Sequence, residues 1–550
     1  MNPAQKAVIE DVLTSPDRIH GLQGLAGAGK TSVLASIREG AERNGFTVEG
    51  FAPSSRAAGQ LRDAGIGAAT LQSFLVKGGD QAKETASRHF YMLDESSLAS
   101  TKQMRAFLDR IGPEDRVLVI GDTRQHQAVD AGRPFQQMQD AGMRTSELSQ
   151  IMRQKDPELL KAVEHLAKGE TAIGVKLLGD QGRITEIANP RERIEAIARD
   201  YAANPDNTLI ISPDNRSRVA INQAVRVELQ ANGTLAKDSQ QFSTLAHRSD
   251  MTGADRMWAA RYNAGEVLLY TTGSKANGIE RGSYATVQAV DAKTNSITVQ
   301  REDGEAITYD PKRLKGVNVY QETPREIAVG ERIQFTAPVK GLEVANRDLA
   351  TVTRIEPHQI TVRLDGETAR SVIFDPREMR HFDHGYAVTS HSSQGLTTGR
   401  VIANMDGETA RSLVNARLAY VAISRASDDA RIYTNDAATI GQKLSAEITK
   451  TAAVDFKPVY TPAEIERHHA PIRDALEPED AAQFRWKGET GAVQTYQHTE
   501  TGRNIHIDGK GQFYSQDGKP TAQETALDRA MLAGRAHSQN ELENSLGLGR

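Results

Sequence analysis

Residues 18 to 31, reading R-I-H-G-L-Q-G-L-A-G-A-G-K-T, constrain this chain more than any other stretch. Gly24, Gly29, Lys30 and Thr31 fill the pattern G-x-x-x-x-G-K-[ST]. Ile19 to Leu22 read as a buried strand entering the loop, and Ser32 to Glu42 as a helix leaving it. Glycine lets successive backbone N–H groups curl around a phosphate chain without Cβ clashes, at the positive end of that helix. The spacing predicts a nucleotide site. Gly24, Ala26, Gly27, Ala28, Gly29, Lys30, Thr31 and Ser32 cradle the phosphates, Lys30 reaches the β- and γ-phosphates, and Thr31 holds Mg²⁺. ATP and Mg²⁺ are the expected ligands.

Such a loop needs carboxylates at the end of a neighbouring strand. Phe90 to Leu93 is an apolar run that ends in Asp94-Glu95. Asp94 is placed to complete the Mg²⁺ shell and Glu95 to activate a water against the γ-phosphate. A second buried run, Arg116 to Ile120, leads into Gly121-Asp122 and then Gln125-His126. A polar cluster at the carboxyl end of a parallel strand faces the ligand crevice, so Gln125 is placed to sense the γ-phosphate. Ahead of the loop, Asn2 and Pro3 start an amphipathic helix that carries Gln5, whose amide pairs a donor with an acceptor and suits an adenine edge. Hydroxyls at predicted strand ends, Pro53-Ser54-Ser55 and Thr70, suit sugar–phosphate contacts; Phe74 either stacks on a base or packs into a core.

Four motifs in this order resemble the first RecA-like domain of superfamily 1 helicases. The second half agrees, with Leu148 to Gln154, Tyr386 to Gly395 and Tyr420 to Ala426. The wording APSSRAA, LDES, GDTRQ, IMRQ and YVAISRA resembles the RecD-like branch, and within it the helicase portion of conjugative relaxases of the TraI/TrwC kind. The resemblance covers roughly residues 1 to 450. It implies ATP-driven 5′-to-3′ movement on single-stranded DNA and at duplex junctions, with type IV secretion or conjugation proteins as further partners; RNA is not excluded. Arg153 and Arg425 look like the arginines presented across the ATP site to stabilise phosphoryl transfer. His126, Asn215, Thr389 and His391 fall at DNA-facing positions. Two departures stand out. The chain starts at the first motor helix, so no relaxase segment is expected ahead of it, and Ser392 stands where a basic residue often precedes Ser-Gln-Gly.

The expected fold is α/β, with two RecA-like P-loop domains. Residues 1–150 form the first, with a pin or plain surface loop near 76–89, and 151–235 with 386–450 form the second. Between 236 and 385 the pattern turns to short alternating strands and repeats itself. Gly265-Glu266 matches Gly330-Glu331, Ala285 to Val287 matches Ala350 to Val352, and Tyr309 to Pro311 matches Phe374 to Pro376, all at an offset of 65. Ile297 to Val299 and Asp303 to Glu305 recur at offsets of 63 and 62. The expectation is a β-rich insertion of tandem SH3-like barrels, serving as a clamp on DNA or as a docking surface. Residues 451–550 carry no motif; two helices near 461–484, a hairpin unit over 491–513 and a helix over 521–536 are expected, with Trp486 in a small core.

Composition constrains the rest. The absence of cysteine excludes disulfides, cysteine-ligated metals and a thiol nucleophile, and fits a reducing cytoplasm. No apolar run is long enough to suggest membrane insertion. The formal net charge of −5 means that nucleic acid must be held by a local groove.

Overall fold

A computed structural model describes residues 1–76, 88–128, 132–248, 250–366, 370–408, 413–446, 462–490, 492–499, 501, 503–515 and 518–530. The pin expected near 76–89 therefore lies almost wholly outside the described residues. The chain divides into two units, Met1–Ala452 and Ala453–Arg550.

The first unit begins with α1 (Pro3–Thr14), held by a capping box between Asn2 and Gln5. There follow β1 (Ile19–Gly24), α2 (Lys30–Arg43), β2 (Thr47–Ala52), α3 (Ser55–Asp63), β3 (Gly67–Thr70), α4 (Leu71–Val76), β4 (His89–Leu93), α5 (Thr101–Leu108), β5 (Arg116–Gly121), α6 (Pro134–Asp140) and β6 (Thr145–Leu148). The strands form a parallel sheet in the order β3-β2-β4-β5-β1-β6. β4 and β5 are buried along almost their whole length, as strands covered by helices on both faces must be. Leu22, Ile37, Met92, Leu118 and Ile120 fill one side of this sheet. An aromatic group of Phe51, Tyr91 and Phe107 fills the other.

A second parallel sheet is assembled from distant parts of the chain. Its first elements are α7 (Pro157–Lys168), α8 (Thr171–Asp180), β7 (Ile184–Glu186), α9 (Pro190–Ala203), β8 (Thr208–Ser212) and α10 (Asn215–Ala231). Asp156, Asn189 and Asp214 cap α7, α9 and α10 through side-chain oxygens. The chain then leaves through β9 (Ser239–His247) and makes β10 (Val267–Tyr270), β11 (Tyr284–Asp291), β12 (Ser296–Arg301), β13 (Ala306–Tyr309), β14 (Val317–Ala328), β15 (Arg332–Phe335), β16 (Leu349–Glu356), β17 (Gln359–Leu364), β18 (Ser371–Phe374) and β19 (Phe382–His384). It returns as β20 (Ala387–Thr389), α11 (Ser390–Ser393), β21 (Thr398–Met405), α12 (Ala416–Ile423), β22 (Ala426–Thr434) and α13 (Ala437–Leu444). The order β20-β8-β21-β22-β7 is parallel throughout.

The excursion between β8 and β20 consists of two antiparallel sheets, β13-β12-β11-β10-β14-β9 and β18-β17-β16-β15-β19. The sequence repeat is visible in their detail. The register shifts between Val287 and Ala289 in one sheet and between Val352 and Arg354 in the other. Isolated bridges join Ser274 to Ile279 and Val339 to Val344. Each copy has its own core, around Val287, Val299 and Tyr309 in the first and Val352, Val362 and Phe374 in the second.

The second unit contains α14 (Pro462–Ala475) and α15 (Pro478–Ala481), with a helical stretch at 523–530. Its antiparallel sheet is wider than the expected hairpin, with five strands: β23 (Phe484–Thr490), β24 (Val493–His498), β25 (Asn504–Asp508), β26 (Phe513–Tyr514) and β27 (Pro520–Thr521). Trp486 is half-buried, stacked on His468 at 4.0 Å, and donates Nε1–H to Gln494 at 2.7 Å.

Candidate nucleotide cleft and nucleic-acid face

The phosphate loop is built by backbone conformation. Gly27 and Gly29 have φ of +83° and +75°, and Gly29 starts α2 without a side-chain cap, leaving the helix N–H groups open to an anion. A Cβ at Gly27 would lie 2.6 Å from the Arg153 Cβ, and one at Gly29 2.6 Å from Gln5 Nε2. The loop is thus gripped from both sides. Gln5 accepts from Asn2 N–H at 3.1 Å and donates to Ala28 O at 3.3 Å, so it props the loop, and reading an adenine edge would require it to exchange these bonds. Lys30 Nζ donates to Gly24 O and Leu25 O at 2.8 and 3.1 Å. Thr31 and Ser32 are exposed on the first turn of α2.

Thr31, Asp94, Glu95, Gln125, Arg153, Gln394 and Arg425 line one cavity of about 350 Å³, together with the loop from Ala26 to Lys30. Two sheets therefore face each other across it. Asp94 is buried, and burial raises its pKa while Lys30 opposes the rise. Glu95 sits in the left-handed region at φ +48°. Burial, then the adjacent Asp94, pushes its pKa up to about 7, near the range of a working base. These donors, a buried carboxylate and a hydroxyl beside an open phosphate cradle, fit Mg²⁺, which prefers one or two protein oxygens plus phosphate oxygens and water. Among the described residues there is no cluster of three or more acidic, His or Cys side chains that could hold the ion alone.

From the opposite sheet, Arg425 is buried and donates to Val421 O at 3.0 Å, and burial lowers its pKa. Arg153 donates to Ser424 O at 2.7 Å; burial and the nearby Arg425 bring its pKa down to about 9. Two cations with so few compensating charges suit an added polyanion.

Several contributors were given no role in the sequence. Tyr420 is buried, accepts the Ala26 N–H at 2.8 Å and donates to Asp122 Oδ2 at 3.0 Å. The same carboxylate oxygen accepts from Gln125 Nε2 at 2.9 Å. Arg417 reaches the carbonyls of Thr123 and Gln125. Asp122 had the signal that revealed Asp94, a carboxylate ending a buried strand. Tyr420 opens the YVAISRA motif, but nothing in it marks the hydroxyl's partners, and Arg417 had no signal, because the partners lie about 300 residues away or more.

The nucleic-acid candidates are distributed around the rim. Pro53 to Ser55 and Thr70 lie where the paired strands β2 and β3 end. Ser54 caps α3 and donates to Glu95 Oε2 at 3.3 Å. His126 is buried and stacks on His391 at 4.0 Å across the two sheets, while Thr389 caps α11. Asn215, the first residue of α10, is exposed. Phe74 is a correction. Its ring packs 4.4 Å from Phe51 and 5.7 Å from Phe107, with Arg110 over it at 5.5 Å, so it belongs to the core rather than to a stacking platform. The second repeat reaches this rim: Arg347 donates to His391 O at 2.9 Å, and Arg56 donates to Ser392 O at 3.2 Å and pairs with Asp348 at 3.7 Å.

Residues 1–189 match the AAA domain family model, and residues 384–433 match the UvrD-like helicase C-terminal domain. The multifunctional conjugation protein TraI of Escherichia coli K12 is 24% identical over 83% of this chain and 29% of its own length. The conjugal transfer protein TraA of Rhizobium radiobacter is 26% identical over 79% of this chain and 32% of its own. For the ATP-dependent RecD2 DNA helicase of Deinococcus radiodurans the figures are 25%, 80% and 51%. The chain thus spans about a third of the conjugation proteins it matches. A Bacteroides Pif1 helicase structure, with ADP-AlF3 and single-stranded DNA, gives a TM-score of 0.39 at 17% identity, covering 81% of this chain and 94% of that one.

Proposed function

We propose that this chain, a superfamily 1 helicase related to the conjugative relaxases, hydrolyses ATP to move 5′ to 3′ along single-stranded DNA and to open duplex junctions in conjugative transfer. The supporting observation is the cleft itself, with a phosphate loop and Asp94-Glu95 on one sheet and Arg425 with Arg153 opposite. Lys30 binds the β- and γ-phosphates. Thr31 and Asp94 would hold Mg²⁺, which would supply neutralisation of charge on the phosphate oxygens. Glu95 takes the proton of the attacking water, Gln125 senses the γ-phosphate through Asp122, and Arg153 and Arg425 stabilise the charge that develops in transfer. Opening and closing of the cleft would move the Pro53–Ser55 and Thr70 edge relative to the Thr389–His391 edge, with DNA passing over Asn215 and His391, and with His126 buried beneath as a support rather than a contact.

The two antiparallel sheets of the insertion are read as tandem SH3-like barrels. Contacts of Arg347 and Asp348 with both motor edges favour a clamp over the strand rather than a docking surface alone. Conjugation or secretion proteins are proposed as further partners. The proposed location is the cytoplasm; no helix among the described residues is long and apolar enough to cross a membrane. Strand displacement on 5′-tailed and 3′-tailed duplexes, each in DNA and RNA, tests the proposal. ATP-dependent opening of the 5′-tailed DNA is the expected result; opening of only the 3′-tailed substrate, or none, would reject it.

A further inference from the structure

We infer that Gln394 is a catalytic residue, whose carboxamide oxygen holds the attacking water together with Glu95; this rests on the ATP-hydrolysis reading above. Gln394 Oε1 is buried and has no hydrogen-bond partner. Among the described side chains with such an orphaned buried atom, it alone lines the nucleotide cavity. A buried acceptor left unpaired is costly, and in a reaction site it marks where a donor arrives with the substrate. A carboxamide oxygen is repelled by phosphate oxygens, so the arriving partner must carry an O–H or N–H. Four of the side-chain donors in the cavity are already engaged. Lys30 bonds Gly24 O and Leu25 O, Arg153 bonds Ser424 O, Gln125 bonds Asp122, and Arg425 bonds Val421 O. Water is the donor that the reaction itself supplies.

Water has two O–H groups to place while its lone pair faces phosphorus. Glu95 accepts one and removes that proton. Gln394 Oε1 accepts the other, which stays on the oxygen that becomes part of the released phosphate. The O–P bond forms as the bond from the γ-phosphorus to the β–γ bridging oxygen breaks, and ADP leaves with that oxygen. The position of Gln394 depends on closure of the cleft. Gln60, on α3 of the first sheet, donates to Gly395 O at 2.9 Å, and Gly395 takes φ +79° to turn the chain there. The water site is therefore complete only when both halves meet.

The test compares the full chain with Gln394→Met and Gln394→Ala, measuring ATP turnover, affinity for a non-hydrolysable ATP analogue and affinity for ADP–aluminium tetrafluoride. That complex carries an axial water and resembles the transition state. Expected is a drop in kcat of about 10- to 100-fold, an equal loss of affinity for the fluoride complex, and ATP-analogue affinity within about threefold. Thermal stability should hold or rise, because an orphaned acceptor has been removed. Unchanged turnover, an analogue affinity that falls as far as kcat, or unfolding of both variants would overturn the inference. Glu95→Gln separates the two readings. Normal turnover in that variant would sink the site as a whole, whereas an inactive Glu95→Gln beside a normal Gln394→Met would reject only the role of Gln394.

Discussion

Tyr420→Phe removes one oxygen atom and should loosen the closed cleft. The hydroxyl is buried, with the Ala26 N–H as its donor at 2.8 Å and Asp122 as its acceptor at 3.0 Å. A bond to a carboxylate contributes about 1.5–3 kcal/mol, and a neutral one about 1 kcal/mol. Asp122 keeps Gln125 at 2.9 Å, Gln23 at 3.3 Å and the Arg124 N–H at 3.1 Å, so the carboxylate is not abandoned. The lower end of the sum applies, about 2.5 kcal/mol. The bonds join the phosphate loop to α12, so this energy acts on closure more than on either sheet alone. It corresponds to a fall of roughly 50- to 100-fold in the closed-to-open equilibrium constant, read as a fall of up to that size in kcat/KM for ATP with saturating single-stranded DNA. A kcat/KM within about threefold of the unmodified chain would refute the claim that Tyr420 latches the two halves.

Three further outcomes are expected. Lys30→Ala should abolish ATP turnover while circular dichroism and single-strand affinity stay close to normal, since the rim residues do not depend on Lys30. The His126 pKa lies well below the usual histidine value, chiefly through burial and then through His391 and the arginines Arg417 and Arg425. Because the folded form resists protonation, its stability is fully present above about pH 6.5 and falls with acidity at up to about 1.4 kcal/mol per pH unit. Urea unfolding at pH 7, 6 and 5 should show that slope, and His126→Gln should flatten it. Gly304 and Gly366 adopt φ of +87° and +128° with open space where a Cβ would stand, so valine there brings backbone strain of about 1–3 kcal/mol and no clash. Gly366→Val should weaken DNA affinity and unwinding while sparing basal ATPase activity, and Gly304→Val should do so less; equal loss of ATPase in both would contradict the clamp.

What could be read in the sequence was what a short segment determines by itself. Gly24 to Thr31 determines its own backbone path, and Asp94 and Glu95 announce themselves by ending an apolar run. The insertion betrayed itself by repetition, down to the matching positions of Val287 and Val352, where both registers then slip. Phe74 was undecidable from local pattern, because a ring on a short helix packs or stacks according to which neighbours the sheet brings. Phe51, Tyr91 and Phe107 come from three other elements. Tyr420, Arg417 and the pairing of Arg56 with Asp348 are products of closure between distant segments. The orphaned oxygen of Gln394 is a statement about surroundings, and no spacing encodes it. Residues 451–550 carried no chemical motif, and there the sheet proved wider than its turn signals suggested, because β23, β26 and β27 flank the central pair β24–β25 as short or irregular strands.

Hydrolysis in this cleft is assigned to arginines that one sheet contributes to a nucleotide held by the other, and Arg425→Ala removes that contribution. Turnover stimulated by single-stranded DNA should be measured beside ATP affinity in the same preparation. Turnover should fall by a factor on the order of 10³ or more, while ATP affinity changes only severalfold, because the guanidinium acts on charge that develops during transfer. Affinity that falls as far as turnover, or turnover that stays near normal, would contradict it.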